Sequence, residues 1–160
     1  VFNLLSNKQI EIIKQLEAQE ISVQNIVKTE ELSYLLPSVE LDLVRKTARY
    51  SVLKYVRKKG VSENEEIKER VRKGFTFRRE LDAYIRVILG HYGIAGGIYI
   101  DYARLGYRVA KIVKESNIAT VPHKILTEID YWAKKYNLNK TILKTIALTA
   151  SKLAYKHYHS

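Results

Sequence analysis

The sequence contains no cysteine and no methionine, and it has only two prolines in 160 residues. Without cysteine, the chain cannot form disulfides, thiolate metal sites or a cysteine nucleophile. The four histidines leave few ligands for zinc or iron. No hydrophobic run approaches the roughly 20 residues of a membrane-spanning helix. What remains is a chain with 46% hydrophobic residues, enough to form the core of one ordinary domain or of a compact domain with a long extension.

Acidic residues are scarce relative to basic ones. The chain has 28 Lys and Arg against 17 Asp and Glu, for a net charge of +11. This balance predicts a polyanionic partner, either a nucleic acid or an anionic membrane surface. The abundance of Lys, Arg, Glu and Ile, with little Asn and Gln, also favours a hyperthermophilic source.

Apolar residues recur at helical spacing along the whole chain, and no segment alternates with period two, so we predict an all-α protein. Pro37, Gly60 and Gly74 are expected to end helices. The predicted helices span about 7–19, 22–36, 38–59, 62–74, 76–89, 98–116, 120–137 and 139–157. Short links between the last four predict an antiparallel, up-and-down four-helix bundle over residues 76–160. Residues 1–75 are then an extended helical arm.

Five of the seven glycines lie between positions 90 and 106. Gly93, Gly96 and Gly97 predict a tight turn between two helices that requires positive φ. Gly106 falls inside the following helix, where glycine costs about 1 kcal/mol relative to alanine. Its presence predicts close approach of another backbone.

Two clusters of basic residues contain no acid: seven between positions 45 and 59, and five between 70 and 79. A single run of this kind is usually a solvated face, but two runs on neighbouring elements, with this net charge, favour binding to nucleic acid. The helix predicted over 38–59 has an apolar stripe, which places its cations on the opposite side, towards phosphate. The stripe consists of Leu41, Val44, Ala48, Val52 and Tyr55. The predicted contacts are Arg45, Lys46, Arg49, Lys54, Arg57, Lys58, Arg70, Arg72, Lys73, Arg78, Arg79 and Arg86.

No helix start carries the Asn, Gln and Arg cluster that base-edge recognition favours, so sequence-independent, salt-dependent phosphate binding is predicted. The last helix adds four lysines at 140, 144, 152 and 156, which are either exposed or a further contact. The histidines lack metal-ligand spacing, and the glycine turn matches neither a Rossmann fingerprint nor a P-loop. We therefore predict no enzyme activity, no metal and no cofactor.

The glycine turn and the helix after it carry a family resemblance. Its residues are Tyr92, Gly93, Ile94, Gly96, Tyr102, Gly106, Arg108, Val109 and Ala110. This pattern resembles the major coat proteins of rod-shaped and filamentous archaeal DNA viruses, the rudiviruses and lipothrixviruses. The resemblance covers the second half of the chain, best between Ile88 and Lys111. It implies a four-helix bundle preceded by a helical extension, with dimers that wrap linear double-stranded DNA and hold it in the A form.

The resemblance implies that residues 1–75 wrap DNA while the bundle faces outward. A long, regularly helical arm favours the lipothrixvirus type, which is often built from two related coat proteins. The expected partners are then double-stranded DNA, a paralogous coat protein or a second copy, and neighbouring subunits of a helical filament, with a viral envelope on the outer face. The expected location is the virion, and the host archaeal cytoplasm during assembly. The alternatives are a cellular helical DNA-binding or regulatory protein and a membrane-surface module of basic amphipathic helices.

Overall fold

A computed structural model of the chain describes residues 5–60 and 64–159. The described residues contain seven α-helices, two short 3-10 helices and no strand, which confirms the all-α prediction. The α-helices are α1 (Asn7–Ala18), α2 (Val23–Val27), α3 (Ser38–Lys59), α4 (Glu65–His91), α5 (Gly97–Glu115), α6 (Val121–Tyr136) and α7 (Lys140–His159). The 3-10 helices span Glu30–Tyr34 and Ile118–Thr120.

Several helix ends follow local signals in the sequence. The Ser6 hydroxyl accepts a hydrogen bond from the Gln9 backbone, and the Gln9 side chain accepts one from the Ser6 backbone, so α1 begins with a capping box. Gly60, which follows α3, is left-handed with a φ of 59°. The Asn139 side chain caps the start of α7. These ends match the predicted ones because they depend on neighbours in the chain.

The glycine turn forms as predicted between α4 and α5. Gly93 has a φ of 69° and Gly96 a φ of 74°. The backbone N–H of Ile94 donates to the Leu89 carbonyl at 2.9 Å, as in the Schellman ending of a helix. Gly97 differs from the prediction, because it is the first residue of α5 and has no positive φ.

Gly106 lies where α5 passes between α4 and α7. A Cβ at this position would be 2.7 Å from Ile85 Cδ1 and 3.4 Å from Ile146 Cγ2. The close approach that the sequence predicted is therefore real. It is made by two isoleucine side chains and not by another backbone.

Helix α7 is the centre of the core. It packs against α4, α5 and α6, and also against α1 and α2. All but one of its residues from 142 to 154 are buried. The buried hydroxyls of Thr145, Thr149 and Ser151 donate to carbonyls three or four residues earlier in the helix, so their burial leaves no unpaired donor.

Helices α5 and α7 run parallel and are the most extensively packed pair of the last four helices. The Asn139 N–H donates to the Tyr102 hydroxyl at one end, and a ring nitrogen of His159 lies 2.9 Å from the Val113 carbonyl at the other. A square up-and-down arrangement would hold these two helices apart on its diagonal. Small residues on both helices, including Gly106, Ala110 and Ala147, allow the closer approach.

Residues 5–36 do not form an extended arm, contrary to the sequence prediction. The apolar side chains of α1, α2 and the first 3-10 helix are buried in one core with α7. Polar groups add to this contact: the Lys144 ammonium donates to the Glu17 carbonyl at the end of α1, and the Tyr84 hydroxyl donates to the Leu32 carbonyl. The arm prediction was wrong here because an apolar helix face that could pack on neighbouring subunits packs within the chain instead.

Lys152 is fully buried between α7 and this N-terminal segment. Its ammonium donates to the carbonyls of Asn25 and Lys28 and to the Glu31 carboxylate, with 3.0 Å to the carboxylate oxygen. Burial lowers the pKa of Lys152, while the Glu31 hydrogen bond opposes that shift. Burial also works to raise the pKa of Glu31, but hydrogen bonds from Lys152 and Gln19 outweigh it and the pKa is lowered.

The predicted helix over 22–36 is interrupted. It consists of α2, an extended residue at Lys28, and the 3-10 helix Glu30–Tyr34. The interruption exposes the last carbonyls of α2 to the Lys152 ammonium, 124 residues away in sequence. The local helical pattern contained no signal for so distant a partner.

Gly74 does not end a helix, and α4 runs without a break from Glu65 to His91. The predicted boundary between arm and bundle at 75/76 therefore falls inside α4. The aromatic residues after this glycine anchor the chain on both sides: Phe75 packs on Tyr55 of α3, and Phe77 enters the core. These contacts offset the cost of a helical glycine. The predicted helix start at Ser62 lies outside the described residues.

Candidate nucleic-acid interface

Helices α3 and α4 form a long antiparallel pair. Arg45 Nη2 lies 2.8 Å from the Glu80 carboxylate, and the Tyr55 and Phe75 rings are 5.9 Å apart, so residues near the start of α3 face the middle of α4. The predicted apolar stripe of α3 provides the inner face of this pair, with Ala48 fully buried. The stripe thus packs within the chain.

The pair extends beyond the core. Phe77 is the first residue of α4 that belongs to the main core cluster, and residues 64–76 precede it. At about 1.5 Å per residue, the free part of α4 is roughly 20 Å long. We call residues 45–60 and 64–79 the basic hairpin.

The positive charge of the chain is concentrated in this part of the sequence. Residues 45–79 contain 13 Lys and Arg against four Glu, a net charge of +9, whereas the other 125 residues contain 15 against 13 and carry +2. All twelve predicted contact residues are exposed. Eleven of them belong to the basic hairpin, and Arg86 lies two turns further along α4. The structure therefore brings the two basic clusters together on one protruding element.

Some of these cations are paired with acids. Arg45 binds Glu80, Arg70 binds Glu66 at 3.2 Å, and Arg72 binds Glu69. The hydrogen bond from Arg72 is the main cause of the lowered pKa of Glu69.

The other predicted contacts of the hairpin have no carboxylate within 4 Å among the described residues. They are Lys46, Arg49, Lys54, Arg57, Lys58, Lys73, Arg78 and Arg79, and Lys59 shares this property although it was not among the predicted contacts. Arg79 donates to the Ser51 hydroxyl, and Lys54 lies 5.3 Å from the Tyr50 ring centroid. Interactions with neutral groups keep the positive charge available for phosphate.

The outer face of α3 also presents exposed apolar side chains. Val39, Leu43, Tyr50 and Leu53 are 78%, 64%, 60% and 55% exposed. Their spacing of four, seven and three residues places them on one helix face, together with Lys46 and Arg57. Sequence reasoning missed this second stripe, although the same periodicity that identified the inner one could have found it.

No group of three or more His, Asp or Glu in residues 5–60 and 64–159 is placed to hold a metal ion. None of the helices described in these ranges is long and apolar enough to cross a membrane. Comparison with protein-family models, with curated proteins and with solved structures found no match to the chain.

Proposed function

We propose that this chain is a structural nucleoprotein that binds linear double-stranded DNA without reading its sequence and assembles around it into a helical filament. The observation that carries the proposal is the net charge of +9 on residues 45–79, a range whose described residues, 45–60 and 64–79, form a protruding helical hairpin. A globular body of nearly balanced charge with one basic projection is suited to contacting a continuous polyanion.

The contacts are expected to involve phosphate and not base edges. The exposed polar side chains of the basic hairpin are mainly Lys and Arg distributed along two helices. Side chains spread in this way neutralise the DNA backbone, which carries no sequence information. Such binding suits a protein that must coat any sequence.

The wrapping element of this proposal starts at α3 and not at residue 1, since residues 5–36 pack on α7. In this arrangement α4–α7 are the outer four-helix bundle, and the hairpin is the arm that reaches the DNA. The resemblance of the glycine turn to archaeal filamentous-virus coat proteins supports a place in the virion, with DNA in the A form. Contact with an envelope belongs to the bundle side.

Assembly with a second copy or a paralogous partner is supported by the outer stripe of α3. Val39, Leu43, Tyr50 and Leu53 would bury apolar surface in such a contact. Lys46 and Arg57 on the same face repel their counterparts on another copy until phosphates neutralise them. We therefore expect filaments only when DNA is present.

The test mixes the full chain with linear duplex of random sequence. We expect nuclease-resistant filaments in electron micrographs and a circular-dichroism shift of the DNA towards the A form. The double variant Lys54→Gln/Lys58→Gln should reduce the slope of log affinity against log salt by about 1.8, because each phosphate contact contributes about 0.9. The matched double variant Lys134→Gln/Lys135→Gln, on α6, should leave the slope unchanged.

Three results would contradict the proposal. Binding without filaments, with one sequence preferred by more than about 1000-fold, would favour a cellular DNA-binding or regulatory protein. Flotation with anionic vesicles and no affinity for DNA would favour a membrane-surface module. Equal salt slopes for the two double variants would show that the hairpin is not the contact.

A further inference from the structure

A shallow groove lies at the root of the basic hairpin, where α4 passes the ends of α5 and α7. It has a volume of about 320 Å³, and its lining includes Gly74, Phe77 and Arg78 from α4, Lys111 and Lys114 from α5, and Tyr158 from α7. We call it the root groove. It joins the surface of the hairpin to that of the main body, and two of its cations were not among the predicted contacts.

Two of the three cations of the root groove lie against aromatic rings. The guanidinium carbon of Arg78 lies 4.6 Å from the Tyr107 ring centroid, and Lys114 Nζ lies 5.4 Å from the Tyr158 centroid. Neither these two cations nor Lys111 has a carboxylate within 4 Å among the described residues. An aromatic face orients a cation without neutralising it, so three positive charges remain available at this position.

Cations of the hairpin and of α5 both lie near one histidine at the root. His157 stacks on Phe77 with 4.8 Å between the ring centroids. Its pKa is lowered, first by burial and then by the charges of Lys73 on the hairpin and Lys114 on α5, while Glu80 opposes the shift. One imidazole at the root thus lies within the field of cations from both elements.

Two further features favour a ligand that lies across the groove. Gly74 has no atom within 4 Å of the position that a Cβ would occupy, so the hairpin side of the groove is open. The acid that lines the groove, Glu115, forms no ion pair with Lys111 or Lys114 within 4 Å. With three cations and this one acid, the lining of the groove carries a net charge of +2.

The length and stiffness of duplex DNA connect the groove to the hairpin. The free part of α4 is roughly 20 Å long, which corresponds to fewer than about ten base pairs of duplex. DNA has a persistence length of about 150 base pairs, so a duplex lying along the hairpin cannot turn away within that distance. It must pass over the surface beside the root.

We propose that the duplex continues from the basic hairpin onto the main body across the root groove, where Arg78, Lys111 and Lys114 contact its phosphates. This inference rests on the proposed function and extends its contact surface to two residues of α5. The ligand is the DNA backbone, because the groove presents three cations without a carboxylate partner and phosphate oxygens are the acceptors that match them.

The test measures salt slopes for random duplex with the full chain carrying Lys111→Gln/Lys114→Gln. We expect the slope to fall by about 1.8, as for Lys54→Gln/Lys58→Gln, while Lys134→Gln/Lys135→Gln matches the wild type. The exposure of all six lysines keeps the fold intact, and far-ultraviolet circular dichroism checks this. Glu115→Gln removes a like charge facing the phosphates and should tighten binding.

The outcomes separate the two proposals. A reduced slope for the hairpin pair with an unchanged slope for the α5 pair overturns the path across the root groove and leaves the proposed function standing. Unchanged slopes for both pairs overturn the proposed function as well. A reduced slope for the α5 pair alone would place the DNA on the body without the hairpin, and this also overturns the continuous path.

Discussion

Lys152 offers the sharpest test of how the N-terminal segment is held. The change Lys152→Met preserves most of the buried volume and removes the ammonium. It deletes three hydrogen bonds, to the carbonyls of Asn25 and Lys28 and to the carboxylate of Glu31. The two carbonyls lie at the end of α2, where no helical N–H is available to replace the lost donor.

The expected cost follows from these partners. A buried acceptor left unpaired costs about 1–3 kcal/mol, and Asn25 and Lys28 each lose one donor. Glu31 keeps some contact with water, since its side chain is 22% exposed, and contributes less. Loss of the desolvation penalty of Lys152 offsets part of the total, so we expect Lys152→Met to reduce the free energy of unfolding by about 3–5 kcal/mol.

Urea unfolding followed by circular dichroism measures this loss as a lower midpoint with an unchanged slope. Hydrogen exchange should locate the effect, with faster exchange in residues 23–36 than elsewhere. The control is Lys134→Met, an exposed lysine on α6, which should change stability by less than about 0.5 kcal/mol. A Lys152→Met chain as stable as the wild type would contradict this prediction, because burying the charge would then cost as much free energy as its hydrogen bonds return.

Two further predictions concern stability. Gly106→Leu should destabilise the fold by about 1–3 kcal/mol or more, because the leucine side chain collides with Ile85. The control Gly74→Ala, in open space, should stabilise the fold by about 0.5–1 kcal/mol. Equal urea midpoints for the two variants would rule out close packing at Gly106. Burial, and then the charge of Glu80, raise the pKa of Tyr84 to about 12. The stability that the neutral Tyr84 hydroxyl contributes is therefore complete below pH 10 and is lost as the pH rises towards 12. Tyr84→Phe should reduce the free energy of unfolding by about 1 kcal/mol at neutral pH. Urea titrations on either side of pH 10 should show that the variant loses less stability at alkaline pH than the wild type. An identical loss of stability in both chains would contradict this prediction.

Much of the helical structure was predictable because its signals are local. Ser6 and Asn139 mark helix starts through hydrogen bonds to residues two or three positions away, and Gly60 ends α3 with its own positive φ. The positive φ of Gly93 likewise follows from the turn that it must make. The continuous helix across Gly74 was not predictable, because it depends on packing against α3 and the core.

The position of the basic surface on α3 and α4 could be predicted from the sequence, but which of its cations lack an acidic partner could be predicted only in part. The inner stripe of α3 requires that its cations face away, and all twelve predicted residues are exposed. Arg70 and Arg72 pair with acids three or four residues earlier in the same helix. Arg45 pairs with Glu80, 35 residues away, and only the fold brings these two together. Arg78 belongs to the second basic cluster, but Lys111 and Lys114 join it only in the fold, so no single sequence run contains all three cations of the root groove.

The four lysines of α7 show why charge counting overestimates a binding surface. They are identical in type and share one helix, yet Lys140 pairs with Asp130 at 3.1 Å, Lys144 donates to the end of α1, and Lys152 is buried with Glu31. Two of the four thus serve the fold, because a long flexible side chain can reach the unpaired carbonyls at a helix end. A basic residue is evidence for a polyanion only when the fold gives its ammonium or guanidinium neither a carboxylate nor a helix-end carbonyl as a partner. The eight unpaired predicted contacts of the basic hairpin meet that condition, and Lys144 and Lys152 do not.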